Sequence, residues 1–143
     1  MILGLDISTS ITGWTVADSK GNVVEYGAWD TRRYKDFFDK AEAVSKGVTE
    51  IHTQYGGKIK HVYIEQSLQS FRSGFSSAKT LSSLSRFNGI VSWLVYNLFQ
   101  IKPEYIAATS ARKLCGIKIP RGEKAKPVVL KHLLDNQPGF VIE

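Results

Sequence analysis

Two carboxylates stand inside apolar runs. Asp6 follows Ile2-Leu3-Gly4-Leu5, and Glu65 closes Val62-Tyr63-Ile64. A carboxylate is expensive to bury unless a cation or several hydrogen-bond donors satisfy it. If the strands that carry them are neighbours, the two acids converge. Two unit charges about 4 Å apart then repel by roughly 4 kcal/mol at an effective dielectric of about 20. A hard divalent cation removes that cost, because Mg²⁺, or Mn²⁺ as a substitute, favours carboxylate oxygens and water. Paired ions roughly 3.5 to 4 Å apart activate an attacking water and stabilise the leaving oxygen of a phosphodiester. The alternative is purely structural: Asp6 caps a turn near Thr9 and Ser10, and Glu65 pairs with a lysine.

The cations point the same way. The chain carries a formal net charge of +6, which suits an acidic partner, nucleic acid first and an anionic membrane second. Arg112, Lys113, Lys118, Arg121, Lys124, Lys126 and Lys131 fall in one short stretch, opposed there only by Glu123. Such clustering is what a phosphate-tracking surface requires. Arg72, Lys79 and Arg86 recur every seven residues. On one helix they form a cationic stripe, which either follows a phosphate backbone or is a solvated face. His52, His61 and His132 show no metal-ligand spacing, and Cys115, the single cysteine, reads as a small packed hydrophobe in a reducing compartment.

The elements that must position these residues are legible from periodicity. Ile2 to Ile7 reads as a buried central strand, Gly13 to Val16 as a second and Val23 to Trp29 as a third, the last two separated by the turn Ser19-Lys20-Gly21-Asn22. Phe37, Phe38, Ala41, Val44, Val48, Ile51 and Tyr55 keep a helical period that stops at Gly56-Gly57. His61 to Ile64 is a fourth strand, reached by a parallel crossover. Leu81, Leu84, Phe87, Val91, Val95 and Leu98 mark a second helix, spanning about Ser76 to Phe99. Tyr105 to Ala108 is a fifth strand. Ser110 caps a short helix ending near Gly116, and a last helix runs from about Glu123 to Asp135. The order β-β-β-α-β-α-β-α-α describes an α/β domain: a mixed sheet of five strands, three antiparallel and then two parallel, flanked by helices. It occupies residues 1–143 as one domain, with no apolar run long enough to span a membrane.

With those segments in place, the chain resembles the RuvC family of Holliday junction resolvases. The opening Ile2-Leu3-Gly4-Leu5-Asp6-Ile7-Ser8-Thr9-Ser10-Ile11-Thr12-Gly13-Trp14 is similar to the family's first strand and Gly-ended hairpin. Gly47 to Tyr55 resembles its first helix, Ile64-Glu65-Gln66 its metal-binding strand, and Cys115-Gly116-Ile117 with Gly122-Glu123-Lys124 its Gly-containing loop and lysine-bearing helix start. The resemblance implies a ribonuclease H-like fold and a Mg²⁺-dependent endonuclease, a homodimer that resolves four-way DNA junctions by paired symmetric nicks in the cytoplasm of a bacterium or phage-infected host. It assigns catalysis and metal binding to Asp6 and Glu65. It assigns DNA contact to Lys124, and also to Lys126, Arg121, Lys118 and Arg112. Leu68 and Phe71 occupy the loop in which the family places an apolar residue at the strand exchange point. An exposed aromatic there acts as a wedge between bases, or else it covers a helix end.

The family completes its site with further acids on a final helix, and nothing after Asp135 fits that pattern. The expectation is a domain truncated at its C-terminus that binds junctions and cuts them poorly. Three other readings share the opening motif or the fold: another ribonuclease H-like nuclease of the YqgF type, a non-catalytic junction-binding module, and a piece of an actin-like sugar kinase.

Overall fold

A computed structural model describes residues 1–66, 78–114 and 117–137, and of 112–114 the helical backbone alone. Leu68, Phe71, Arg72 and Cys115 lie outside the described residues. The elements run β1 (Ile2–Asp6), β2 (Ile11–Ala17), β3 (Val23–Asp30), α1 (Phe37–Tyr55), β4 (His61–Glu65), α2 (Ala78–Phe99), β5 (Glu104–Ile106), α3 (Ala108–Leu114) and α4 (Ala125–Asn136). They build one five-stranded sheet in the order β3-β2-β1-β4-β5. The pairs β1–β2 and β2–β3 are antiparallel, and β1–β4 and β4–β5 are parallel. This is the mixed α/β sheet that the periodicity predicts.

The strands alternate between two environments, as a period of two requires. Leu3, Leu5, Ile7, Val16, Val62 and Ile64 are buried on one face, beneath Ala41, Val44, Val48 and Ile51 of α1 and Phe87, Val91 and Val95 of α2. Asp36 starts α1 by accepting from the amides of Phe38 and Asp39 at 2.9 and 3.1 Å, the arrangement that satisfies otherwise orphaned donors. At the other end of α1 the Tyr55 hydroxyl donates to the Glu25 carboxylate and fastens the helix to β3. Trp29 stacks on Trp14 with ring centroids 6.0 Å apart. A Cβ on Gly47 would stand 2.2 Å from the Trp29 ring, so glycine is what lets α1 close over the tryptophan pair.

Several boundaries differ from the sequence reading. β2 starts at Ile11, because pairing with β3 from Ile11↔Asp30 extends the ladder past Gly13. β5 ends at Ile106, and Ala108 instead opens α3, so Ser110 lies inside that helix and is not its cap. Glu123 belongs to a turn in which its amide donates to the Pro120 carbonyl, and α4 starts two residues later. Among the described residues no helix is long and apolar enough to cross a membrane.

Candidate active site

Asp6 is the last residue of β1 and Glu65 the last of β4. Leu5 pairs with Ile64 in the parallel ladder, so the next residues on each strand stand side by side at the end of the sheet. Leu5 and Ile64 are buried in the helix-covered face. Asp6 and Glu65 therefore project to the opposite face, together with Gly4 and Tyr63. All four line one cleft of about 640 Å³, whose other walls are Ile106, Ala108 and Ala111 around β5 and α3, and Ala125, Lys126, Val129, Leu130 and Leu133 of α4.

Asp6 is exposed, which corrects the expectation of a buried strand carboxylate. β1 is buried on one face only, and at its last residue the other face opens on the cleft. Its neighbour across the antiparallel ladder is Gly13, where an added Cβ would meet nothing within 4 Å. The approach to the carboxylate is thus unobstructed from the β2 side. Glu65 is half-buried, and the Gln66 amide anchors the end of its strand by donating to the Ile106 carbonyl at 2.8 Å. The acids are an oxygen donor pair. Among the described residues no group of three or more His, Cys, Asp or Glu side chains stands together in a way that could hold a metal ion.

The loop that follows Asp6 is fixed by its own hydroxyls. The Ser8 amide donates to Thr12 Oγ1 at 3.3 Å, Thr12 Oγ1 donates back to the Ser8 carbonyl at 3.0 Å, and the Ser10 amide donates to Ser8 Oγ at 3.1 Å. Thr31, buried at the end of β3, donates its hydroxyl to the Thr9 and Ser10 carbonyls and its amide to the Ser10 carbonyl. The Lys40 ammonium bridges the Thr9 and Thr31 carbonyls at 2.7 and 3.0 Å. Thr12 and Ser8, and not Asp6, supply the side-chain acceptors for the Ser8 and Ser10 amides.

The cations named from sequence separate into groups. Lys126 lines the cleft with the two acids. Lys124 is the exposed N-cap residue of α4, and Lys118 and Arg121 are exposed in the connection before it. Arg112 lies in α3. Lys79 and Arg86 share α2, but Arg86 lines a different pocket, between α1 and α2, with Phe37, Phe38, Gly89, Ile90 and Trp93. It is not brought to the carboxylate cleft. Tyr63 was missed by the sequence reading. The period of two that places Glu65 on the open face places Tyr63 there as well.

No family model matches the chain, and no curated protein sequence matches it. Solved structures do. Thermus thermophilus RuvC in complex with a Holliday junction substrate matches with a TM-score of 0.64 at 11% identity, covering 78% of this chain and 67% of that one. Thermus thermophilus RuvC matches at 0.63 and 15% identity, covering 94% of this chain and 78% of that one. The fold is that of RuvC. The mixed sheet with its flanking helices is the ribonuclease H-like α/β arrangement of those neighbours. An inorganic polyphosphate/ATP-glucomannokinase from Arthrobacter sp. strain KM also matches, with a TM-score of 0.50 at 21% identity over 87% of this chain and 51% of that one. The RuvC fold and the kinase thus share a core, as the common opening motif anticipates.

Proposed function

We propose that this chain is a RuvC-type nuclease domain, a structure-selective, metal-dependent endonuclease acting on four-way or branched DNA. The observation that carries the reading is the meeting of Asp6 and Glu65 from adjacent parallel strands in a cleft that also holds Lys126. Asp6 and Glu65 would hold Mg²⁺. An ion of that kind commonly takes one or two carboxylates and fills its remaining positions with water and substrate phosphate oxygens. When bound, it lowers the pKa of a coordinated water and offsets charge on the phosphodiester. Lys126, on the wall of the cleft, would meet the phosphate, and Lys124, Arg121, Lys118 and Arg112 would extend that contact along the backbone. Leu68 and Phe71 are assigned to the same DNA surface through the resemblance alone, and Arg72 and Lys79 through their seven-residue spacing and the net positive charge.

The kinase match has the lower TM-score, 0.50, and extends over 51% of that protein, against 67% and 78% for the two RuvC structures, which favours the nuclease. That only two acids meet among the described residues favours a domain that binds junctions well and cuts them slowly.

The test is competition between an immobile four-way junction and linear duplex of the same arm sequence, at fixed salt and in Ca²⁺, so that binding is read without cutting. A junction preference of roughly a hundredfold, about 2.7 kcal/mol, is expected. Equal affinity for the two DNAs would remove junction selectivity and leave a general nuclease.

A homodimer is part of the same proposal. Phe38 and Trp93 are 68% and 59% exposed beside the α1–α2 pocket of about 710 Å³, and Gly89 of α2 lies in its lining. Exposed apolar surface of this kind marks interaction sites. A projecting tryptophan beside a glycine-lined hollow on one helix is a self-complementary arrangement, which a two-fold axis uses twice. Trp93→Glu is expected to convert the dimer to a monomer in sedimentation equilibrium. A variant that sediments as the wild type does would place the interface elsewhere.

A further inference from the structure

The carboxylate cleft poses an electrostatic difficulty for its own substrate, since a polyanion must approach two acids. Lys126 and the α4 approach supply positive charge on the β4–β5 side. The sheet order puts β2 and β3 on the other side of Asp6. The turn that leaves β3, Thr31-Arg32-Arg33-Tyr34-Lys35-Asp36, emerges at the same end of the sheet as Asp6, two strand spacings or roughly 10 Å across the sheet and starting three residues, roughly 10 Å, past Ala28, which stands level with Asp6. We propose that Arg33 and Lys35 form a second DNA-backbone contact, so that cations bracket the acidic pair from both sides. The inference rests on the nuclease reading and deepens it, because it assigns the β3–α1 turn to the duplex arm that leaves the cleft opposite α4.

Three observations support it. The turn is joined to the loop behind Asp6 by Thr31 and by the Lys40 ammonium. Its position relative to the site is therefore fixed. The Arg33 guanidinium lies over the Tyr34 ring, 4.8 Å from its centroid, and donates to the Tyr34 hydroxyl at 2.6 Å. An exposed arginine held in this way loses less rotamer freedom when it meets a phosphate. Finally, the acids beside the two cations are engaged by other groups. Asp30 makes a 2.6 Å ion pair with Arg32, and that hydrogen-bonded pairing holds its carboxyl at about 2. Asp36 accepts the first amides of α1. Arg33 and Lys35 are both exposed.

The experiment is fluorescence anisotropy of a labelled four-way junction and a labelled duplex across a salt series in Ca²⁺. It uses the wild type, the double variant Arg33→Ala/Lys35→Ala, the variant Lys126→Ala, and a charge control, Lys20→Ala/Lys60→Ala. The control removes the same charge from exposed positions at the opposite end of the sheet. The Arg33/Lys35 variant is expected to lower the slope of log K against log salt by about 1.8, at roughly 0.9 per phosphate contact, and to weaken binding about tenfold at 0.1 M salt. The control is expected to leave the slope nearly unchanged. If the slope survives in the Arg33/Lys35 variant while Lys126→Ala reduces it, the second contact is wrong and the nuclease reading stands. An equal loss in the control would mean diffuse charge and no defined contact. A wild type that binds neither DNA would sink both the contact and the nuclease reading.

Discussion

Asp6→Asn is expected to reduce metal-supported nicking of a four-way junction by on the order of a thousandfold, about 4 kcal/mol of transition-state stabilisation. The substitution keeps the shape of the side chain and removes its charge. Asp6 is exposed at the end of β1, so the folded domain should tolerate the change with little loss of stability. Glu65→Gln should give a comparable loss. The double variant should be little worse than either alone, since groups that hold one ion act as a unit. Initial nicking rates in Mg²⁺ and in Mn²⁺ read the effect, and calorimetric titration with Mn²⁺ reads it independently of turnover. Undiminished nicking by Asp6→Asn would place the chemistry elsewhere. Retained nicking together with lost Mn²⁺ binding would show that the ion held by the pair is not the one that cuts.

The second large effect lies in the core. Phe87→Ala should destabilise the domain by about 3–5 kcal/mol, against a total of roughly 5–15 kcal/mol for a domain of ordinary stability. Phe87 is fully buried on α2 and meets the Phe37 ring edge-on at 5.4 Å, joining the two helices over the sheet. Truncation leaves a hollow where α1, α2 and the central strands meet, and urea unfolding would measure the loss. A change below about 1 kcal/mol would mean that the helices close over the gap more readily than buried aromatic sites usually allow.

Much of this architecture could be read from residue order. The parallel pairing of β1 with β4 follows from three hairpin-spaced strands, a helix and a fourth apolar run, and it is what makes Asp6 and Glu65 neighbours. What could not be read is how far each face of the sheet is covered. Ile2 to Ile7 has the composition of a strand buried on both sides, yet Gly4 and Asp6 face a cleft, because α4 stands across it with no buried residue of its own. The lysines show the same limit. α4 starts at Ala125 and not at Glu123, so Lys124 precedes the helix as its N-cap residue. Lys126 then lines the cleft, while Lys124, the better match to the motif, becomes the exposed cap residue. The spacing of Arg86 from Lys79 is helical as expected, but spacing alone does not say which neighbour a helix face meets, and here Arg86 meets Phe38 and Trp93. The six-residue connection that holds Arg33 and Lys35 carries no periodicity, so sequence alone gives no placement for the Arg32-Arg33 dipeptide.

The parallel ladder between β1 and β4 also has a consequence for assembly of the domain. Its two acids are separated by about sixty residues of chain and meet only after α1 has formed and crossed back over the sheet. Such non-local contacts must overcome loop-closure entropy before they form. The unfolded polypeptide does not hold the two carboxylates together, so a divalent ion held by the pair, as proposed above, would bind the native state alone. At a hundred times its dissociation constant such an ion would add about 2.7 kcal/mol to the stability of the fold. The ion would then act as a fastener between β1 and β4, drawing the domain toward its finished topology before any DNA arrives.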